Sequence, residues 1–202
     1  MLGRLAASMT PTMTWRRRPT AWSIRVESSA LPTPRRRCGW TSYGVMCPIG
    51  CRGAMAGGGS ADAAAEQWER TATSLRRLCD ADPGLLWCME THSRNLTDTV
   101  TGTLRLIELV GRPNLKVIFQ PSTFHPDELV ALEALAPHTV HVHATNSRDG
   151  KASTLSEGDM DYRIILGRLR ERSFDGFVSV EWFGEDPAGA ARREAKFLRS
   201  LA

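Results

Sequence analysis

The chain has 202 residues, a formal net charge of +4 at pH 7 and a hydrophobic content of 42%. This length suffices for one well-packed domain but is short for a complete eightfold α/β barrel, which takes about 250 residues. No apolar run reaches the ~18 residues that a membrane-spanning helix needs. The sequence therefore excludes a helical membrane protein and predicts a globular one.

The charge is unevenly distributed along the chain. Residues 1–53 hold nine Arg, no Lys and one acid, Glu27, so the remainder is net negative. Surfaces that bind nucleic acids are built from clustered Lys and Arg, so we expect no nucleic-acid partner for this remainder. The chain has five Cys, an odd number, and no apolar signal segment, which favours reduced thiols and a cytoplasmic location.

Residues 1–53 show neither a 3.6-residue nor a 2-residue apolar period, and we expect an unstructured Arg- and Pro-rich leader there. It resembles a transit peptide in composition, but its prolines break an amphipathic helix. A zinc site from Cys38, Cys47 and Cys51 lacks a fourth ligand and a common spacing. A third interpretation is non-native sequence, from a wrong start or a shifted reading frame.

Regular patterns begin near Ser60, and we assign residues 54–202 to one domain. Ser60 is suited to cap a helix in which apolar residues recur every three or four positions, from Ala64 to Leu78. Short apolar runs then alternate with amphipathic segments. The predicted strands are 85–90, 115–119, 139–144 and 177–182, and the predicted helices that follow them are 98–111, 126–135, 161–172 and 186–201.

Each of these four strands is followed by a helix long enough to cross over the sheet. Such crossovers join parallel neighbours, so the fold class is α/β with a parallel sheet. Periodicity alone does not separate a barrel from an open, doubly wound sheet.

Polar side chains stand at the carboxyl ends of all four strands, where both parallel architectures place their active sites. A lone Glu or His in such a position is more often solvated or packed than functional. Four ends that together offer carboxylate, amide and imidazole groups instead suit a divalent cation. These ends are Met89-Glu90-Thr91-His92, Phe119-Gln120-Pro121, His141-Val142-His143 and Val180-Glu181-Trp182.

In the order and spacing of these segments, the sequence resembles the xylose isomerase-like TIM barrels, which include sugar phosphate isomerases and epimerases. The resemblance covers residues 85–202, the carboxyl-terminal half of such a barrel. It implies a TIM (β/α)8 barrel type of fold, incomplete in this chain, with at least the last four strand–helix units. The segments that carry it are 89–92, 114–121, 141–143, 157–161 and 174–181.

The resemblance implies a divalent metal site for Mn, Mg, Co or Zn. Its ligands would be Glu90, Gln120, His143 and Glu181, although the family usually has Asp where this chain has Gln120. A neutral amide donates a carbonyl oxygen but removes one negative charge, which weakens the site. Under a shifted alignment, Ser122 or His125 would take the place of Gln120.

The same resemblance implies proton transfer next to a sugar carbonyl, with Glu90 and Glu181 as the catalytic groups. His92 and His141 would bind the substrate. Arg148, in the loop after the third strand, is a candidate for a substrate phosphate or hydroxyl, although a solvated loop residue is the commoner case. The expected partner is a small sugar or sugar phosphate, and homo-oligomerisation is left open.

Two other functions compete with the isomerase. The same superfamily contains zinc-dependent DNA-repair endonucleases, which the negative charge of residues 54–202 disfavours. The other alternative is a truncated or frame-damaged relative without catalysis, because only 84 residues precede the last four predicted strand–helix units. Half a barrel would expose its sheet edges.

Overall fold

A computed structural model of the protein describes residues 59–182 and 185–201, together with the backbone of three strands further upstream. Within these residues, no helix is both long and apolar enough to cross a membrane. The cysteines of the zinc hypothesis, Cys38, Cys47 and Cys51, lie outside them. The strands are β1 Pro11–Arg18, β2 Ala21–Ser28, β3 Ser42–Val45, β4 Leu86–Glu90, β5 Leu115–Phe119, β6 Thr139–Ala144, β7 Asn146–Arg148, β8 Lys151–Ser153 and β9 Phe177–Val180; the α-helices are α1 Ala65–Ala81, α2 Val100–Val110, α3 Glu128–Leu135, α4 Tyr162–Glu171 and α5 Pro187–Ser200.

The main sheet has the strand order β2-β1-β9-β6-β5-β4-β3. Strands β3, β4, β5, β6 and β9 are parallel and lie beside one another in the order in which they occur along the chain. A doubly wound sheet reverses its strand order at a switch point, whereas a barrel does not. The predicted parallel α/β fold is confirmed, and the strand order is that of a barrel.

Strands β1, β2 and β3 lie within residues 1–53, where the apolar pattern predicts no regular element. β1 pairs antiparallel with β2 and β9, and β3 pairs parallel with β4. The edge of an open sheet presents unpaired N–H and C=O groups, which any extended backbone satisfies whatever its side chains. Periodicity does not detect such pairing. A boundary between a leader and a domain at residue 53 stays a prediction.

The apolar core lies between the parallel strands and the helices. Along each strand, alternate side chains enter this layer: Met89, Phe119, Val142 and Val178 are each 0% exposed. The helices pack in sequence, α1 on α2, α2 on α3 and α3 on α4. Because side chains alternate along a strand, the intervening residues must face the other side of the sheet.

Helix ends differ from the sequence prediction where distant side chains intervene. Helix α1 begins at Ala65 rather than at Ser60, which lies in a 3-10 turn. The Ser60 N–H donates to the Asp98 carboxylate at 3.2 Å, and its Oγ contacts Thr99 Oγ1 at 3.1 Å. Helix α2 ends as predicted, with Gly111 in the left-handed conformation at φ 58°. The loop after β6 contains the β7–β8 hairpin, which the sequence analysis did not predict.

We expect Leu132→Ala to lower the free energy of unfolding by about 2–5 kcal/mol, because Leu132 is 1% exposed within the core. Val130→Ala on the same helix removes a side chain that is 69% exposed and should change it by less than about 0.5 kcal/mol. Urea unfolding followed by circular dichroism measures both. Equal losses in the two variants would contradict the described helix packing.

Candidate metal centre

Four polar side chains lie at the carboxyl ends of neighbouring parallel strands. Glu90 is the last residue of β4, Gln120 follows β5, His143 lies near the end of β6 and Glu181 follows β9. Their neighbours along each strand fill the helix-facing core, so these four occupy the opposite face of the sheet. The structure thus brings together all four residues that the family resemblance implies as metal ligands.

We call these four side chains the strand-end cluster, and short contacts join them in pairs. The Nδ1–H of His143 donates to Oε1 of Glu90 at 2.7 Å. The Nε2 amide of Gln120 donates to Oε2 of Glu181 at 3.0 Å. One ligand atom each from Glu90, His143 and Glu181 lies within 4.8 Å of the other two. This spacing lets the three side chains reach one cation.

Gln120 presents a buried acceptor without a partner. The side chain is 7% exposed, and within the described part of the chain its Oε1 accepts no hydrogen bond. Its amide orientation follows from Glu181, since a carboxylate only accepts and must receive the Nε2–H. An unsatisfied buried carbonyl costs about 1–3 kcal/mol. A cation bound by the cluster would satisfy this oxygen, so the residues fit a metal.

The charge of the cluster also fits a divalent cation. Burial is the main cause that raises the pKa of Glu181, the charge of Glu90 raises it further, and His143 and His92 oppose the increase. Two carboxylates with an imidazole and an amide together offer the negative charge that one divalent ion neutralises. Carboxylate, imidazole and carbonyl donors are suited to Mn, Mg, Co or Zn.

His141 lies two residues before His143 on β6, and its ring packs against the ring of His143. Its Nε2 is 2.7 Å from Oγ of Ser179, and its ring meets that of His143 edge-on at 5.0 Å between centroids. Burial, and secondarily the charge of His143, lowers the pKa of His141 to about 3, so the imidazole is neutral. This placement favours packing under His143 over contact with a substrate, the role that the resemblance implies.

His92 is exposed, and its electrostatic interaction with Glu181 shows that it lies beside the cluster. Its Nδ1 lies 2.8 Å from the Ser93 carbonyl, which can only accept, and 3.3 Å from the Asn95 amide nitrogen, which can only donate. The shorter contact favours the neutral tautomer with the proton on Nδ1. Nε2 is then an acceptor. Such an acceptor is suited to a hydroxyl of a polar ligand.

The remaining candidates are not brought to the cluster by the contacts described. Arg148 is exposed on β7, opposite Lys151 of β8. Ser122 is exposed, and His125 pairs through Nδ1 with Glu128 Oε2 at 3.0 Å. Of the three residues considered for the position after β5, Gln120 is the one that contacts Glu181.

Sequence reasoning missed three threonine hydroxyls around the cluster. Thr97 Oγ1 donates to the Glu90 carbonyl at 2.7 Å, Thr123 Oγ1 donates to the Thr91 carbonyl at 3.1 Å, and Thr91 Oγ1 accepts the Gln120 N–H at 2.8 Å. Threonine near a strand end readily bonds to backbone groups. The sequence carries that propensity but does not show which distant backbone each hydroxyl meets.

Known proteins of similar sequence or fold place the chain among parallel α/β barrels. The curated 3-dehydroshikimate dehydratase of Bacillus anthracis is 28% identical and aligns with 69% of this chain and 58% of its own length. A xylose isomerase-like TIM barrel protein from Mycobacterium smegmatis, solved with magnesium, has TM-score 0.62 and 16% identity, covering 69% of this chain and 51% of that one. The D-allulose 3-epimerase of Methylomonas sp. has TM-score 0.61 and 20% identity, covering 69% and 57%.

The chain thus spans about three fifths of the length of its curated relative. A family profile extends the similarity upstream of residue 85, to β3 and its surroundings. That profile, described as Xylose isomerase-like TIM barrel, matches residues 41–201, and the chain belongs to this family.

Proposed function

We propose that the chain carries the active site of a metal-dependent sugar isomerase or epimerase, acting on a small sugar or sugar phosphate. The observation that carries this proposal is the strand-end cluster, in which Glu90, His143 and Glu181 place ligand atoms within 4.8 Å of one another. The proteins that the chain resembles include a dehydratase and an epimerase, which supports catalysis in this chain.

The proposed reaction moves a proton at the carbon next to a carbonyl. Such a step needs a group that removes the proton and a group that returns it. When bound, a divalent cation supplies positive charge against the negative charge that develops on the carbonyl oxygen. Glu90, Gln120, His143 and Glu181 would hold it. Glu90 and Glu181 are the two carboxylates of the cluster and are assigned the proton transfers.

His92 is assigned to the substrate. It is exposed beside the cluster, and its Nε2 is the acceptor because Nδ1–H is directed to the Ser93 carbonyl. An acceptor in this place suits the hydroxyl groups of a sugar. For a sugar phosphate, the proposed phosphate contact is Arg148, which is exposed on the β7–β8 hairpin. Its side chain would reach the substrate through movement of the hairpin or of the long Arg side chain itself.

A second candidate reaction is dehydration of a polyhydroxylated carbonyl compound. It is favoured by the similarity to 3-dehydroshikimate dehydratase, at 28% identity over 69% of this chain. Dehydration begins with the same proton removal next to a carbonyl and then expels a hydroxyl from the adjacent carbon. The two candidates therefore share the first step and differ in whether water leaves.

We expect Mn²⁺ to raise the unfolding free energy of the full chain by about 2.7 kcal/mol when its concentration is about 100 times the dissociation constant. Glu181→Gln should weaken Mn²⁺ binding, because it removes one of the two carboxylates of the cluster. Glu171→Gln makes the same change at an exposed surface ion pair with Arg168 and should bind like the wild type. Thermal unfolding against Mn²⁺ concentration measures these effects, and an unchanged melting temperature in the wild type would refute the metal centre.

In D2O with bound Mn²⁺, we expect deuterium to enter a ketose such as D-allulose at the carbon next to the carbonyl. Glu181→Gln should slow this exchange by about a hundredfold or more, the contribution of a general acid or base, and Glu171→Gln should not. Mass spectrometry detects the label. Loss of water from 3-dehydroshikimate, without exchange into ketoses, would support the dehydratase. Metal binding without either reaction would support the non-catalytic alternative.

A further inference from the structure

Thr91 lies at the point where the hydrogen-bond ladder between β4 and β5 changes its pattern. In a parallel pair, each strand donates and accepts at evenly spaced positions. Trp87 N–H donates to Asn114 O at 2.9 Å, and Thr91 N–H continues the series to Ile118 O at 3.0 Å. The next regular bond of this series would join Gln120 N–H to the carbonyl of Thr91.

That bond is made by a side chain instead. Gln120 N–H donates to Oγ1 of Thr91 at 2.8 Å, and the Thr91 carbonyl accepts from Thr123 Oγ1 at 3.1 Å. The Thr91 hydroxyl itself is directed to the Ile118 carbonyl at 3.4 Å. Thr91 is 0% exposed, so water does not replace these partners. The threonine hydroxyl therefore sets the distance between the two strands just where the ladder ends.

Thr91 connects two members of the strand-end cluster, Glu90 and Gln120. Glu90 immediately precedes Thr91 in the chain. The backbone N–H of Gln120 donates to the Thr91 hydroxyl. A shift of the Gln120 backbone would move its buried Oε1 away from the other ligands. Groups that orient metal ligands are commonly worth about 10–100-fold in metal affinity.

We propose that Thr91 is a positioning residue, whose hydroxyl holds Gln120 in place beside Glu90 for metal binding. It acts through these two ligands and does not touch the ion. The inference rests on the proposed metal-dependent function.

The test compares Mn²⁺ affinity of full-length variants by isothermal titration calorimetry after removal of metal with EDTA. Thr91→Val keeps the size of the side chain and removes the hydroxyl, and it should weaken Mn²⁺ binding by about tenfold or more. Thr91→Ser keeps the hydroxyl and should retain most of the affinity. If Thr91→Val does not fold, Thr91→Ala and Thr91→Ser, which share the lost methyl group, give the same comparison.

Thr139→Val is the matched control. Thr139 is 8% exposed at the start of β6, and its Oγ1 donates to the Leu135 carbonyl at 2.9 Å, far along the strand from His143. It should lower the melting temperature in EDTA and leave Mn²⁺ affinity unchanged. A merely structural Thr91 would behave in the same way, and that result would overturn the inference. A wild type that binds no Mn²⁺ would instead refute the proposed function itself.

Discussion

The alternation of side chains along the parallel strands is the constraint on which the rest of the structure depends. Met89, Phe119 and Val142 are each 0% exposed in the layer beneath the helices, and this burial fixes the face that each strand presents. A slip of one residue would send the core side chains to the opposite face. The same alternation therefore places Glu90, Gln120 and His143 on one face of the sheet.

That placement is electrostatically unfavourable by itself. Two carboxylates share a partly buried site, burial raises the pKa of Glu181, and the charge of Glu90 raises it further. Apolar or neutral residues at these four strand ends would cost less free energy. Burial of the helix-facing core stabilises the fold and offsets the free-energy cost of these carboxylates, which lie only at the strand ends.

The sequence predicted the parts of the fold that depend on local pattern, namely the parallel strands, their helices and the residues at the strand ends. It failed where partners are distant in the chain. Ser60 does not cap α1: it lies in a 3-10 turn, and its Oγ contacts Thr99 Oγ1, which is 39 residues away, at 3.1 Å. The β7–β8 hairpin has no apolar alternation, and β1 pairs through its backbone with β9. The bond from Gln120 to the Thr91 hydroxyl likewise follows from tertiary position rather than from residue type.

Gln120 explains how the cluster stays ordered despite its charge. An Asp in its place would only accept hydrogen bonds and would add a third negative charge beside Glu90 and Glu181. The amide instead donates to Glu181 at 3.0 Å, as His143 donates to Glu90 at 2.7 Å, so each carboxylate has a donor from a neighbouring strand. The amide and the imidazole thus orient both carboxylates before a cation arrives, and ordering them takes less of the binding free energy. The lost negative charge weakens the attraction for the ion. This preorganisation acts in the opposite direction, as does Gln120 Oε1, which has no hydrogen-bond partner within the described residues.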